Sequence, residues 1–221
     1  MSGGRDKILG AVRRGLGREA LSQGVRDTLD ARLRGDRADT ALRPRLDADS
    51  AWSAFRSLLE AAAGTWEALD DEAAVPHRVA GYLDARGLTG PLAVAPVLAG
   101  LDWTSAGLAP RVGRSHGAEG VAVSRAFCAI AETGSVVLLS GPDNPTTLNF
   151  LPDHHLVVVD AKDLVMHIED AWSRLRLAPA GMPRAVNLIT GPSRTADVEQ
   201  TIQLGAHGPR SLHVLLIGAD S

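Results

Sequence analysis

The chain has one cysteine, few aromatic residues (4%), no long apolar run and no dominant charge sign. Each scarcity excludes something. With Cys128 alone, neither an intramolecular disulfide nor an iron–sulfur cluster or zinc site needing several thiolates from this chain can form, which suits a reducing cytoplasm. The start, MSGGRDKILGAVRRGLGRE, is basic but lacks a continuous apolar segment, and no stretch of about 18 apolar residues follows. Neither secretion nor membrane spanning is expected. A net charge of -3 and a pI near 6.1 provide no global field for a polyanion, so nucleic acid is not an expected partner. The motifs GxxxxGK[ST], GxGxxG after a strand, HExxH and GxSxG are also missing, which removes the better-defined nucleotide, zinc-protease and serine-hydrolase signals.

What is present is an ordinary globular composition: 45% hydrophobic, 22% charged, mean hydropathy +0.01, in 221 residues. Ile8, Leu9, Val12 and Leu16 recur at helical spacing in an Arg-rich opening, predicting an N-terminal helical arm over 1–48. Its basic residues are interleaved with Asp27, Asp30, Asp36 and Asp39, as on a solvated surface; an arm that docks on a partner is the sharper reading. The remaining residues, 49–221, read as one α/β domain. Ser50 is placed to cap a helix bearing Trp52, Phe55, Leu58 and Leu59, and a second helix is expected from Ala73 to Arg86, stopped by Gly87. Short apolar runs then predict strands at Leu92–Ala95, Val121–Val123, Phe127–Ala131, Val136–Leu139, Leu156–Val159, Ala185–Thr190 and Leu212–Ile217. Helical text fills Ala161–Leu175 and Thr195–Leu204. Strand, helix, strand at the end predicts a right-handed crossover between parallel strands in a layered, mostly parallel sheet with flanking helices.

The sharpest local feature is Gly191-Pro192-Ser193-Arg194-Thr195, expected to lead from a strand into a helix at the carboxyl edge of the sheet. Ligands gather at such edges, and helix N-termini present free N–H groups to anions. Gly191, Ser193, Arg194 and Thr195 are therefore candidate anion contacts; Asp197 and Glu199 favour a singly charged carboxylate over a phosphate. The same residues also suit a plain helix cap, with Arg194 pairing Asp197. His207, between Gly205-Ala206 and Gly208-Pro209, is a candidate acid/base that simple βαβ geometry puts at the opposite edge from Gly191. Glu132, beside Gly134 in a turn, is a candidate nucleophile or base, or a carboxylate capping its own turn. His154 and His155 invite a metal, but neighbours on an extended strand point to opposite faces, so no metal site is expected.

Four stretches carry a family resemblance: AIAETGSVVLL (129–139), LPDHHLVVV (151–159), GPSRTADVE (191–199) and GAHGPRSLHVLLIG (205–218). Together they resemble the LUD domain of LutC-type lactate-utilisation proteins. The resemblance implies a NagB/RpiA/CoA-transferase-like fold and a part in oxidising L-lactate to pyruvate with LutA-like and LutB-like partners, the iron–sulfur clusters residing in a partner subunit. Lactate or another small carboxylate is then the expected ligand. Of the adjacent histidines, His155 fits the family pattern and His154 does not. The family often has a basic residue before the LLP-like stretch, where Pro145-Thr146-Thr147-Leu148-Asn149-Phe150 has none. Two alternatives stay open: a free-standing CoA-transferase-like enzyme using Glu132, and a non-catalytic scaffold gripping its partners through the Arg-rich arm.

Overall fold

A computed structural model describes residues 3–17, 20–34, 43–47, 49–195 and 203–218. The chain divides into two units, Met1–Leu42 and Arg43–Ser221. The first contains helices α1 (Gly3–Gly15) and α2 (Gln23–Arg34), as the helical periodicity predicts, and α1 buries no residue.

In the second unit, helix α3 (Ala51–Ala61) is followed by strand β1 (Thr65–Leu69) and helix α4 (Val75–Ala85). Pro76 lies in the first turn of α4 and Gly87, at φ 61°, follows its end, both as the sequence predicts. The Ser50 side chain makes no cap; its hydroxyl donates to the Asp47 carbonyl, while the Asp47 carboxylate accepts the Ser50 N–H. Then come β2 (Leu92–Val94), β3 (Arg111–Val112), β4 (Val121–Arg125), β5 (Cys128–Ile130), β6 (Ser135–Leu139) and β7 (His154–Asp160). The helical text near Ala161 resolves into a 3-10 turn, the short strand β8 (Leu164–Val165) and helix α5 (Ile168–Arg176). Strands β9 (Val186–Ile189), β10 (Arg194–Thr195), β11 (Gln203–Leu204) and β12 (Ser211–Ile217) complete the series.

Six strands form a parallel sheet in the order β1-β12-β7-β4-β2-β3. Its central strands β4, β7 and β12 are nearly continuous Val and Leu because both faces are covered. Leu156, Val158, Leu215 and Ile217 pack with Val79 and Leu83 of α4 on one face. Val157, Val159, Val214 and Leu216 pack on the other with Phe55 and Leu59 of α3 and with Val136 and Leu138 of a second sheet. That second sheet has the order β8-β5-β6-β9, and Ile130 and Val137 on its far side pack with Ala171 of α5. The layers are thus helix, parallel sheet, mixed sheet and helix, the layered α/β class expected from the alternating runs.

Two expectations are overturned. Strand β9 does not join β12 by a parallel crossover; it pairs antiparallel with β6 in the second sheet. The helix expected over Thr195–Leu204 is absent at both ends, where Arg194–Thr195 and Gln203–Leu204 pair antiparallel; residues 196–202 lie outside the described residues. The reason is tertiary. Serving a second sheet on the same side lets β9 end beside the start of β12, so the chain reaches β12 without a crossover within one sheet.

Candidate functional site

Because the crossover is missing, the Gly191 loop and the His207 loop are neighbours. The Ser193 N–H donates to the Pro209 carbonyl at 2.8 Å and the Gly205 N–H to the Ser193 carbonyl at 2.9 Å. The two loops border a cavity of about 310 Å³ together with Asn149 and His155. Gly191, Ser193, Arg194 and His207 all line it, so the separation of His207 from Gly191 expected of a βαβ unit is reversed. The cavity faces the amino ends of β7 and β12, through His155 and Leu212, rather than the carboxyl edge. A helix N-terminus is no longer the reason for an anion to bind there; the reason must come from side chains. Asp197 and Glu199, which narrowed the ligand in the sequence, lie outside the described residues.

Each predicted residue has a definite place. Arg194 is exposed, lines the cavity and pairs with no carboxylate among the described residues. Ser193 is half-buried against Gly208 across the loop junction. Thr195 is buried and does not line the cavity. Gly191 has a backbone role as well: its φ is 81°, and a Cβ there would lie 2.3 Å from the Ala62 carbonyl oxygen at the end of α3. Glu132 lies apart from the cavity. Its carboxylate accepts the Ile168 N–H at 2.7 Å and contacts His167 Nδ1 at 2.9 Å, so both oxygens serve the start of α5. Cys128 is fully buried in the second sheet, and burial pushes its thiol up to about 12, so no reactive thiolate exists there.

The adjacent histidines bond different elements, as alternation along a strand requires. His154 Nδ1 meets the Tyr82 hydroxyl of α4 at 3.0 Å, and that hydroxyl meets Ser211 Oγ at 2.9 Å. His155 Nε2 meets Ser124 Oγ at 2.6 Å. Among the described residues no group of three or more His, Cys, Asp or Glu could hold a metal ion. Burial pushes His155 down to about 3, so the ring facing the cavity is a neutral imidazole.

The residue the sequence did not single out as a ligand contact is Asn149. It sits in the 3-10 turn Thr146–Asn149, is 1% exposed, and neither Oδ1 nor Nδ2 has a hydrogen-bond partner among the described residues. A buried amide left unpaired costs about 1–3 kcal/mol. Since it lines the cavity, it offers one donor and one acceptor to whatever enters. The available signal was a polar residue inside the run Leu148-Asn149-Phe150-Leu151, ambiguous without the fold. Replacing this amide by an apolar isostere removes an unsatisfied group, so Asn149→Leu should raise stability by about 1–2 kcal/mol in a urea melt while abolishing ligand response. A melt showing a loss of stability would mean that Asn149 is structurally paired.

Comparison with known proteins agrees with this architecture. Residues 101–217 match the family described as LUD domain. Over 97 residues the chain is 42% identical to an uncharacterized protein of Neisseria meningitidis, a match covering 44% of this chain and 42% of that one. It is 33% identical over 92 residues to lactate utilization protein C of Halalkalibacterium halodurans, covering 40% of each chain. The same holds for lactate utilization protein C of Bacillus subtilis, 33% identical over 91 residues, or 40% of this chain and 38% of that one. These matches span less than half the length of those curated relatives. A crystal structure of a DUF162 family protein from Deinococcus radiodurans shares the fold at a TM-score of 0.56 and 20% identity, covering 79% of this chain and 100% of that chain. With more than half of its residues matched and the layered sheet in place, this chain belongs to the LUD domain family.

Proposed function

We propose that this chain is a LutC-like subunit of a multiprotein system that oxidises L-lactate to pyruvate, and that its cavity binds the small carboxylate. The observation that carries the site is the unsatisfied Asn149 amide in a cavity that Arg194 also lines. About 310 Å³ is at the low end of ligand pockets, roughly 300–1,000 Å³, which suits a small acid better than a nucleotide. The Arg194 guanidinium supplies the carboxylate contact, and the Asn149 amide reads the adjoining hydroxyl and carboxylate oxygens. His207, exposed beside Gly208, takes the hydroxyl proton, and His155, held by Ser124, is a neutral wall that orients the acid. Oxidation to the keto acid releases two electrons and two protons. One proton passes to His207, and the partner subunit would have to supply the two-electron acceptor that takes the second proton and both electrons, since one buried cysteine cannot bind a cluster in this chain.

The relatives named lactate utilization protein C support the lactate context. Docking on LutA-like and LutB-like partners is supported by the arm, where Ile8, Val12 and Leu16 are 66%, 51% and 62% exposed. No helix among the described residues is long and apolar enough to cross a membrane. The test is to purify the chain with the LutA-like and LutB-like products and measure lactate-dependent dye reduction. We expect co-purification, loss of reduction without this chain, and a drop of about a hundredfold for Arg194→Gln, as for a lost charge-assisted contact. Reduction proceeding unchanged without the chain defeats the proposal.

A further inference from the structure

A second cavity, of about 720 Å³, shares no lining residue with the first. The turn Thr146–Asn149 lies between them: Thr146 and Thr147 line the second, Asn149 the first. Arg114, Ser140 and Arg184 also line it, and among the described residues no acidic one does.

The polar groups here are donors. Arg114 and Arg184 are exposed, and neither guanidinium pairs with a carboxylate among the described residues. Ser140 Oγ accepts the Ala185 N–H at 2.8 Å and Thr147 Oγ1 accepts the Ser115 N–H at 3.1 Å. Each hydroxyl therefore has an acceptor lone pair occupied and its own proton still to give. The segments bearing the arginines are held in place. Ser140 and Ala185 exchange a second bond, Ser140 N–H to the Ala185 carbonyl at 3.0 Å, which anchors Arg184. The Arg114 loop is closed by the Arg111–Glu119 ion pair and by the Glu119 carboxylate accepting from Ser115 Oγ and the His116 N–H. Arg111 also donates to the Arg114 carbonyl.

Two guanidiniums from separate segments and two hydroxyl groups, with no acid among the described lining residues, match the oxygens of a dianion. We propose that this cavity is a second ligand site, which binds the phosphate group of a small phosphorylated molecule. The volume far exceeds a bare phosphate, and Pro142, Pro145, Met182 and Pro183 form an apolar wall for the remainder. A net charge of -3 over the chain disfavours a polynucleotide and leaves a single small ester as the occupant.

Calorimetric titration of the full chain with inorganic phosphate, adenosine monophosphate and adenosine tests this. Both phosphate-bearing probes should bind, and adenosine should bind at least about tenfold more weakly than its monophosphate. The monophosphate binding more tightly than free phosphate identifies an ester as the ligand; the reverse order identifies the free ion at the same site. Arg114→Gln and Arg184→Gln should each weaken the monophosphate about tenfold, Arg184→Lys less, and the double variant should abolish binding. Because both side chains are exposed, circular dichroism and melting of these variants should match the parent. Arg194→Gln, in the other cavity, should leave phosphate binding unchanged. The proposal is overturned by absent binding of both phosphate probes, by equal affinity for adenosine and its monophosphate, by binding that survives the double variant, or by binding that Arg194→Gln removes.

Discussion

Gly191→Ala should destabilise the protein by about 2–5 kcal/mol, far more than a loop substitution usually does. Two costs add. The residue sits at φ 81°, a left-handed conformation worth about 1–2 kcal/mol against any residue with a Cβ. That Cβ would also stand 2.3 Å from the Ala62 carbonyl oxygen and 3.0 Å from the Ala62 Cβ, contacts with a backbone that must shift to relieve them. Overpacking of this kind costs about 1–3 kcal/mol. Gly134, at φ 64°, meets the same helix at the Leu59 N–H, so α3 rests on two glycine backbones. Asn tolerates positive φ but carries a Cβ, so Gly191→Asn separates the two costs in the same urea melts: recovery towards the parent assigns the loss to φ, and none assigns it to the clash. Gly208→Ala is the control, since its Cβ would meet Ser193 Cβ at 3.4 Å, an ordinary contact. A Gly191→Ala melt within about 0.5 kcal/mol of the parent would refute the close-approach account.

The second large effect is acid instability, expected between pH 6.5 and 4. Burial holds His155 at about 3 and His213 at about 4, the latter helped by the Arg86 guanidinium, against an ordinary value of 6.5. His154 is lowered in the same direction, first by burial. Because these folded values lie below the unfolded one, the fold refuses protons that the unfolded chain accepts as pH falls through 6.5. Stability is therefore complete above that pH and is lost below it, with a limiting slope of about 2.7 kcal/mol per pH unit for two protons. Glu119, held down at about 2 because the His116 N–H, Ser115 and Arg111 outweigh its burial, adds to the loss below its usual 4.5. Against a typical total of about 5–15 kcal/mol, this brings unfolding within reach near pH 4 to 5. Urea melts at pH 7.5, 6 and 5 measure it. His155→Gln should flatten the slope by about one proton, and a stability constant from pH 7 to 5 would contradict neutral burial of these rings.

Much of the fold was legible because burial on both faces writes itself as unbroken apolar runs. Strands β4, β7 and β12 are such runs, and their ends fall within a few residues of the expected bounds. Strand β1, Thr-Trp-Glu-Ala-Leu, carries no apolar run to mark it, because it is the sheet edge and mostly half-buried. The helix expected after Gly191 illustrates the opposite error. A strand, a hydroxyl-rich turn and acidic residues form a sound local start signal, yet Arg194 and Thr195 are claimed by pairing with Leu204 and Gln203. Local preference there is worth tenths of a kcal/mol, and two ladder contacts and a buried Thr195 outweigh it.

By itself the sequence determined the layered α/β class, the exclusion of cysteine-built redox centres from this chain, and the motifs of the LUD domain family. These depend on composition, periodicity and short-range spacing, which the chain carries residue by residue. Only the tertiary structure decided that Gly191, Arg194 and His207 share one cavity with Asn149 and His155, and that Glu132 serves α5 instead. Membership of a site depends on which sheet each strand joins. That choice is made by burial against residues far away in the chain, such as β9 against β6, and no local spacing records it.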